Sequence, residues 1–191
     1  MKHLEKPSSF FYKTVNGVVL LVSVAVFALF IAVVLPAESE KSQQATGSSR
    51  SPDTALLYSA EELYSIADEY GDEGRSAYVR SRFSFDIIWP LVYAFFLTSA
   101  STFFMSSVSS VRLKTLNLLP AAGMLFDFLE NIAASIVMIR YPSLTPGIAQ
   151  LTPVFTLFKW LCIYASFGLL AISFGYWVFQ LLKSFLKRDA R

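Results

Sequence analysis

Four apolar stretches, each long enough to cross a bilayer as a helix, limit this chain's fold more than any other feature. Hydrocarbon is spanned by about 20 consecutive apolar residues in a helix, and residues 15–35, 85–111, 117–139 and 153–182 all reach that length with few charges. Composition points the same way. Hydrophobic residues make up 54% of the chain and charged residues only 16%, where a soluble domain carries about 25% charged. The expected fold class is all-α: a four-transmembrane-helix bundle with an amphipathic helical segment in the first loop.

Several function classes are excluded early. His3 is the sole histidine and Cys162 the sole cysteine, so His/Cys zinc sites, histidine-based triads and intrachain disulfides have no residues to build them. The net charge of +2 forms no dense basic tract, and no nucleic-acid partner is expected. No GxSxG, HExxH or P-loop motif is present. No cofactor and no metal is assigned.

Charge placement predicts orientation. Four spans put residues 1–14, the loop after the second span and the tail at 183–191 on one side. That side carries Lys2, Lys6, Lys13, Arg112, Lys114, Lys183, Lys187, Arg188 and Arg191, against Glu5 and Asp189. The other side holds the acids from Glu38 to Glu73. The basic side is expected to be cytoplasmic, with both termini inside a cytoplasmic (inner) membrane. Residues 15–35 read as a retained span, because their apolar core exceeds the ~7–15 residues of a signal peptide; Leu35-Pro36-Ala37 is the competing cleavage site.

The first loop divides in two. Residues 36–58, rich in Ser, Gln, Gly and Pro, read as a flexible external linker. Residues 59–84 read as external amphipathic helices. Ser59 and Glu62 have capping-box spacing, and Leu63, Ile66, Ala67 and Tyr70 recur at helical period before a stop at Gly71. In the second of these helices Tyr78, Val79 and Phe83 are expected on the membrane surface, with Arg75, Arg80 and Arg82 toward lipid phosphates or the acids nearby. Residues 140–152 form a short external loop. Thr152 and Pro153 then look like the cap and first residue of the fourth span, and Asn117 the cap of the third.

The most informative stretch is Leu125–Ser135, LFDFLENIAAS. Asp127, Glu130 and Asn131 lie three and four residues apart, on one helical face. An ionised acid at mid-bilayer costs about 3 kcal/mol on the lenient scale, so this face must turn into the bundle. Lys159 is the expected partner. It lies about 9 Å below the start of the fourth span, and Glu130 about 13 Å below the end of the third, at 1.5 Å per residue. Asp86, Arg82, Tyr93 and Trp160 are expected to join them in a polar pocket, with Arg140 nearby. Plainer alternatives exist for single residues: Lys159 snorkelling beside a belt residue Trp160, and Asp86 as an N-cap.

The run YGDEGRSAYVRSRFSFDIIWPLVYAFFL (Tyr70–Leu97), followed by LFDFLEN, resembles a group of uncharacterised bacterial four-span membrane proteins, over roughly residues 55–182. That resemblance implies topology and a bacterial source, and no activity. Read together, these features predict a membrane protein with an outward-facing polar pocket for a small polar, ionic or lipidic ligand. An assembly subunit that pairs its embedded charges with a partner, and an intramembrane lipid- or isoprenoid-active enzyme, are the alternatives. Expected partners are the bilayer, a lipid or small ion, and another copy or subunit through helix contacts.

Overall fold

A computed structural model describes residues 2–189. The side chains of Lys2, Thr54 and residues 187–189 lie outside that description. Of the charges used to orient the chain, Lys2, Lys187, Arg188 and Asp189 therefore contribute no described side chain, and Arg191 lies outside the described residues.

The chain is 86% helical, and no strand occurs among the described residues. Helix α1 (Lys2–Thr14) is followed by Asn16, whose side chain accepts the Val18 and Val19 N–H groups at 2.9 and 3.1 Å and so caps α2 (Gly17–Leu29). Helix α2 does not end where its apolar run does. It passes through a π-turn at Phe30–Val34 into α3 (Leu35–Thr46). Pro36 lacks a backbone N–H, and the wide turn just before it lets the helix carry that gap.

Helix α4 (Ala60–Arg82) opens with the expected capping box. Ser59 N–H donates to Glu62 Oε2 at 2.7 Å, and Glu62 N–H to Ser59 Oγ at 3.2 Å. Gly71 breaks its regularity at φ 62°, a left-handed backbone that glycine adopts without strain. Three residues on, Gly74 lets α3 and α4 touch: a Cβ there would lie 3.1 Å from the Thr46 carbonyl oxygen. Helices α5 (Phe85–Phe104), α6 (Val111–Lys114), α7 (Leu119–Arg140) and α8 (Pro146–Asp189) complete the chain. Four helical stretches are long and apolar enough to cross a membrane: Gly17–Thr46, Ala60–Phe104, Val111–Arg140 and Pro146–Leu186.

Several expected boundaries move, each for a local reason. Residues 36–58 are not a uniformly flexible linker: α3 occupies Leu35–Thr46, and a 3₁₀ turn Pro52–Thr54 holds the return. Polar composition concealed this helix because its Thr46 end is buried against Gly74 rather than set in an apolar stripe. Helix α5 stops at Phe104, short of 111. Helix α8 starts before the expected 153, with Ala149 N–H bonded to the Thr145 carbonyl. Pro153 therefore sits inside it, and Thr152 caps nothing, turning its hydroxyl back to the Ile148 carbonyl at 2.9 Å. The early start is stabilised by Ala149, fully buried against α4 and α7. Asn117 likewise is not a helix cap. It is buried in a 3₁₀ turn and donates to Thr102 Oγ1 at 3.0 Å.

Two apolar clusters organise the bundle. In one, Leu63, Ile66, Ala67, Tyr70 and Tyr78 of α4 pack on Ala134, Val137 and Met138 of α7 and Ala149 of α8. In the other, Tyr93, Ala94 and Leu97 of α5 meet Ile163 of α8, flanked by Phe27, Trp89 and Trp160. Helix α2 is the least enclosed. Within α2 only Ser23 is buried, while Val18, Leu21 and Leu29 are exposed.

Candidate functional site: a charged cavity among five helices

The break at Gly71 and the turn into α5 aim the last residues of α4 at the bundle, so Tyr78 and Arg82 point inward instead of lying on a membrane surface. They are 1% and 7% exposed. That corrects the surface expectation for Tyr78, while Arg82 takes the place expected of a pocket residue, and the physical reason is pairing: Arg82 finds carboxylates inside. Its Nη1 lies 2.5 Å from Asp53 Oδ2 and its Nε 3.1 Å from Asp86 Oδ2. The guanidinium also stacks over the Tyr78 ring at 4.3 Å, and the Tyr78 hydroxyl donates to Asp53 Oδ1 at 3.2 Å. Asp86 is therefore half of an ion pair one turn after Arg82, not an N-cap.

Helix α7 supplies the acidic face. Asp127, Glu130 and Asn131 are 7%, 0% and 4% exposed, so the face turns away from any surrounding lipid. Glu130 forms an ion pair with Lys159 of α8 and accepts the Thr156 hydroxyl at 2.8 Å. The Tyr58 hydroxyl lies 3.0 Å from Thr156 Oγ1, giving a relay of hydroxyls from the α3–α4 connection to the buried glutamate. Asp127 accepts from Tyr93 at 3.1 Å and from Asn131 Nδ2 at 3.3 Å. Asn131 spends its other groups on the neighbouring cluster, accepting from Arg82 Nη1 at 3.4 Å and donating to the Asp86 carbonyl at 3.4 Å. One amide thus ties the Arg82 cluster to the Asp127 cluster.

Outside the spans, electrostatics bear on two groups. Burial would push the Asp53 carboxyl up, but the Arg82 guanidinium, then Lys159, and hydrogen bonds from Ser51 and Arg82 together hold it below the ordinary carboxylate value. Burial pushes the Tyr58 phenol well above the ordinary tyrosine value, so it keeps its proton beside Thr156.

These side chains surround a cavity of about 360 Å³. Glu38, Arg50, Asp53, Arg82, Asp86, Asp127 and Lys159 line its charged part with Trp160 beside them, and α3 contributes a wall that includes Leu35, Ser42 and Thr46. A site of this size falls in the range of small-molecule pockets. Of the residues expected from sequence, Arg82, Asp86, Asp127, Lys159 and Trp160 line the cavity. Glu130, Asn131 and Tyr93 stand behind that lining and hold it through the bonds above. Arg140 is exposed and takes no part.

Sequence reasoning missed Asp53, Tyr58, Tyr78 and Thr156. Thr156 had a usable signal. Thr152, Thr156 and Lys159 follow one another at helical spacing and are all buried, a polar stripe on α8 that mirrors the acids of α7. Asp53 and Tyr58 had none, since each sits in a polar connection whose return into the bundle depends on Arg82 and Thr156. No known protein family, curated protein or solved structure matches this chain.

Proposed function

We propose that this chain is a multi-pass protein of a bacterial cytoplasmic membrane that binds a small polar, ionic or lipidic ligand in the cavity between α3, α4, α5, α7 and α8, as a binding or transport component. One observation carries the reading. Arg82, Asp127 and Lys159, each no more than 7% exposed, converge on an open space rather than filling it. Buried charges are expensive, and mixed ones inside a membrane-crossing bundle mark ligand or ion sites by default.

The orientation rests on the positive-inside rule with both termini cytoplasmic. It is supported by Ser8 and Tyr12 of α1, whose hydroxyls donate to the Lys114 carbonyl at 3.1 and 3.3 Å, which puts the N-terminal helix and the Arg112–Lys114 loop at one end. The cavity then faces outward beneath α4. The assembly alternative loses its motive, because Arg82 and Lys159 already have acidic partners within the chain.

Native mass spectrometry of the detergent-extracted protein tests this reading. A bound small molecule or lipid that survives extraction, and that is lost when Ser42→Trp fills the α3 wall, is the expected result. A protein that carries nothing, and whose spectrum Ser42→Trp leaves unchanged, would overturn it.

A further inference from the structure

We infer that α3 is a lid over the cavity, swinging on the π-turn at Phe30–Val34 and latching its far end on Gly74 of α4. The inference rests on the cavity's being a ligand site and adds the route by which a small molecule enters and leaves it.

Helix α3 covers the cavity without being packed into the bundle. Leu35, Glu38, Ser42 and Thr46 line the open space, yet among the described residues of α3 Thr46 alone is buried. Helix α4, which does pack, buries Leu63, Ile66, Ala67, Tyr70 and Tyr78. Polar side chains of α3 bond one another: Lys41 to Glu38 at 3.2 Å, Gln43 to Ser39 at 3.4 Å and Gln44 to Glu40 at 3.2 Å. Such bonds stiffen α3 as a unit and do not tie it to the bundle. A segment with so little buried apolar surface opens at low cost, because opening exposes little.

Both ends of α3 are built to turn. At the near end Leu35 N–H reaches back five residues to the Phe30 carbonyl, and Pro36 beside it has no N–H to give. The helical ladder is thinnest there, so a change of axis breaks few bonds. At the far end Gly47 takes φ 68°, the left-handed backbone that ends a helix. The chain is fixed again from Arg50 onward: the Tyr70 hydroxyl donates to the Arg50 carbonyl at 2.6 Å, and Arg82 holds Asp53. Gly47, Ser48 and Ser49 lie between, folded back by the Thr46 hydroxyl, which donates to the Ser48 carbonyl at 3.2 Å. Drawn straight, three residues span about 10 Å, which sets the scale of the swing.

One close approach holds the lid shut. A Cβ on Gly74 would lie 3.1 Å from the Thr46 carbonyl oxygen and 3.2 Å from its Cα. Glycine inside a helix is less stable than alanine, and Gly74, unlike Gly71, has no positive φ that calls for it. The seat for Thr46 is what it provides.

The test places nitroxide labels on the full chain in detergent, in a Cys162→Ser background that removes the free thiol. One label goes to Glu40→Cys on α3 and the other to Leu151→Cys on α8, both exposed positions. Double electron–electron resonance should read two distances, a shorter one with the lid shut and a longer one with it open. A second pair, Glu73→Cys with Leu151→Cys, should keep one distance. Gly74→Val wedges the latch and should raise the longer population severalfold. Gly74→Ala should raise it less, and it carries the test if Gly74→Val does not fold. A single Glu40–Leu151 distance that neither substitution moves would overturn the lid; because this measurement needs no ligand, the cavity reading would stand. Equal broadening in both label pairs would place the motion outside α3 and overturn it as well. A lid that moves over a cavity empty in the mass spectrum, with Ser42→Trp changing nothing, would overturn the gating role and the cavity reading together.

Discussion

At the end of the bundle where α1 meets the start of α7, the helices are joined by neutral groups: Asn117 donates to Thr102 at 3.0 Å, and Ser8 and Tyr12 reach the Lys114 carbonyl. At the cavity end the same job is given to Arg82, Asp53, Asp86, Glu130 and Lys159. Both ends hold helices together, and the neutral set does so without the desolvation cost of full charges. If fastening were the whole task, a second Asn117-like junction would serve at the cavity end as well. The difference suggests that the charges are kept for what they present to the cavity.

The contrast can be broken most directly at Lys159 and Glu130. Either Lys159→Ala or Glu130→Ala leaves an uncompensated buried charge and should cost about 3–5 kcal/mol. The double variant should cost no more than either alone. Chemical or thermal unfolding in detergent measures this, and strictly additive losses would show that the two groups do not interact. At the neutral end Asn117→Ala should cost only about 1–2 kcal/mol, the loss of a buried but uncharged hydrogen bond. If Asn117→Ala proves as damaging as Lys159→Ala, the distinction between the two ends collapses.

Asp53 sharpens the comparison through pH. Its carboxyl is held below the ordinary value in the folded chain, so it stabilises above the unfolded carboxylate value, and that contribution is lost as pH falls through the lowered one. The connection between α3 and α4 should therefore become more susceptible to an acid-active protease as pH drops through that window, with a smaller stability change than loss of Lys159. Asp53→Asn should remove the acid transition, while leaving the α1 end of the bundle unaffected. The smallest effect belongs to Arg50 and Glu69. That pair is joined at 3.1 Å, but its side chains are 50% and 39% exposed, and Arg50→Ala should cost less than about 1 kcal/mol in the same unfolding assay.

The four long apolar helices were legible because apolar length is a property written along the chain. The Lys159–Glu130 pair was anticipated from helical rise and is present, although the depth given to Lys159 assumed a start at Pro153 and α8 begins at Pro146. Asp127, Glu130 and Asn131 declared their shared face through spacing alone. The helicity of residues 35–46 was not legible, because Pro36 and a polar composition argued for a linker, while the π-turn and the close approach at Gly74 decided otherwise.

Local sequence by itself determined that four long apolar helices form, that Ser59 caps α4 and Gly71 interrupts it, and that the acidic face of α7 needs company. Tertiary structure alone decided who keeps that company. Asp53 and Tyr58 enter the site from a stretch with no periodicity, Tyr78 turns inward rather than toward a membrane surface, and a cavity remains among them. Periodicity reports only on neighbours along one helix, whereas pairing a charge in a low-dielectric interior depends on which distant carboxylate the folded backbone can bring within about 3 Å of it.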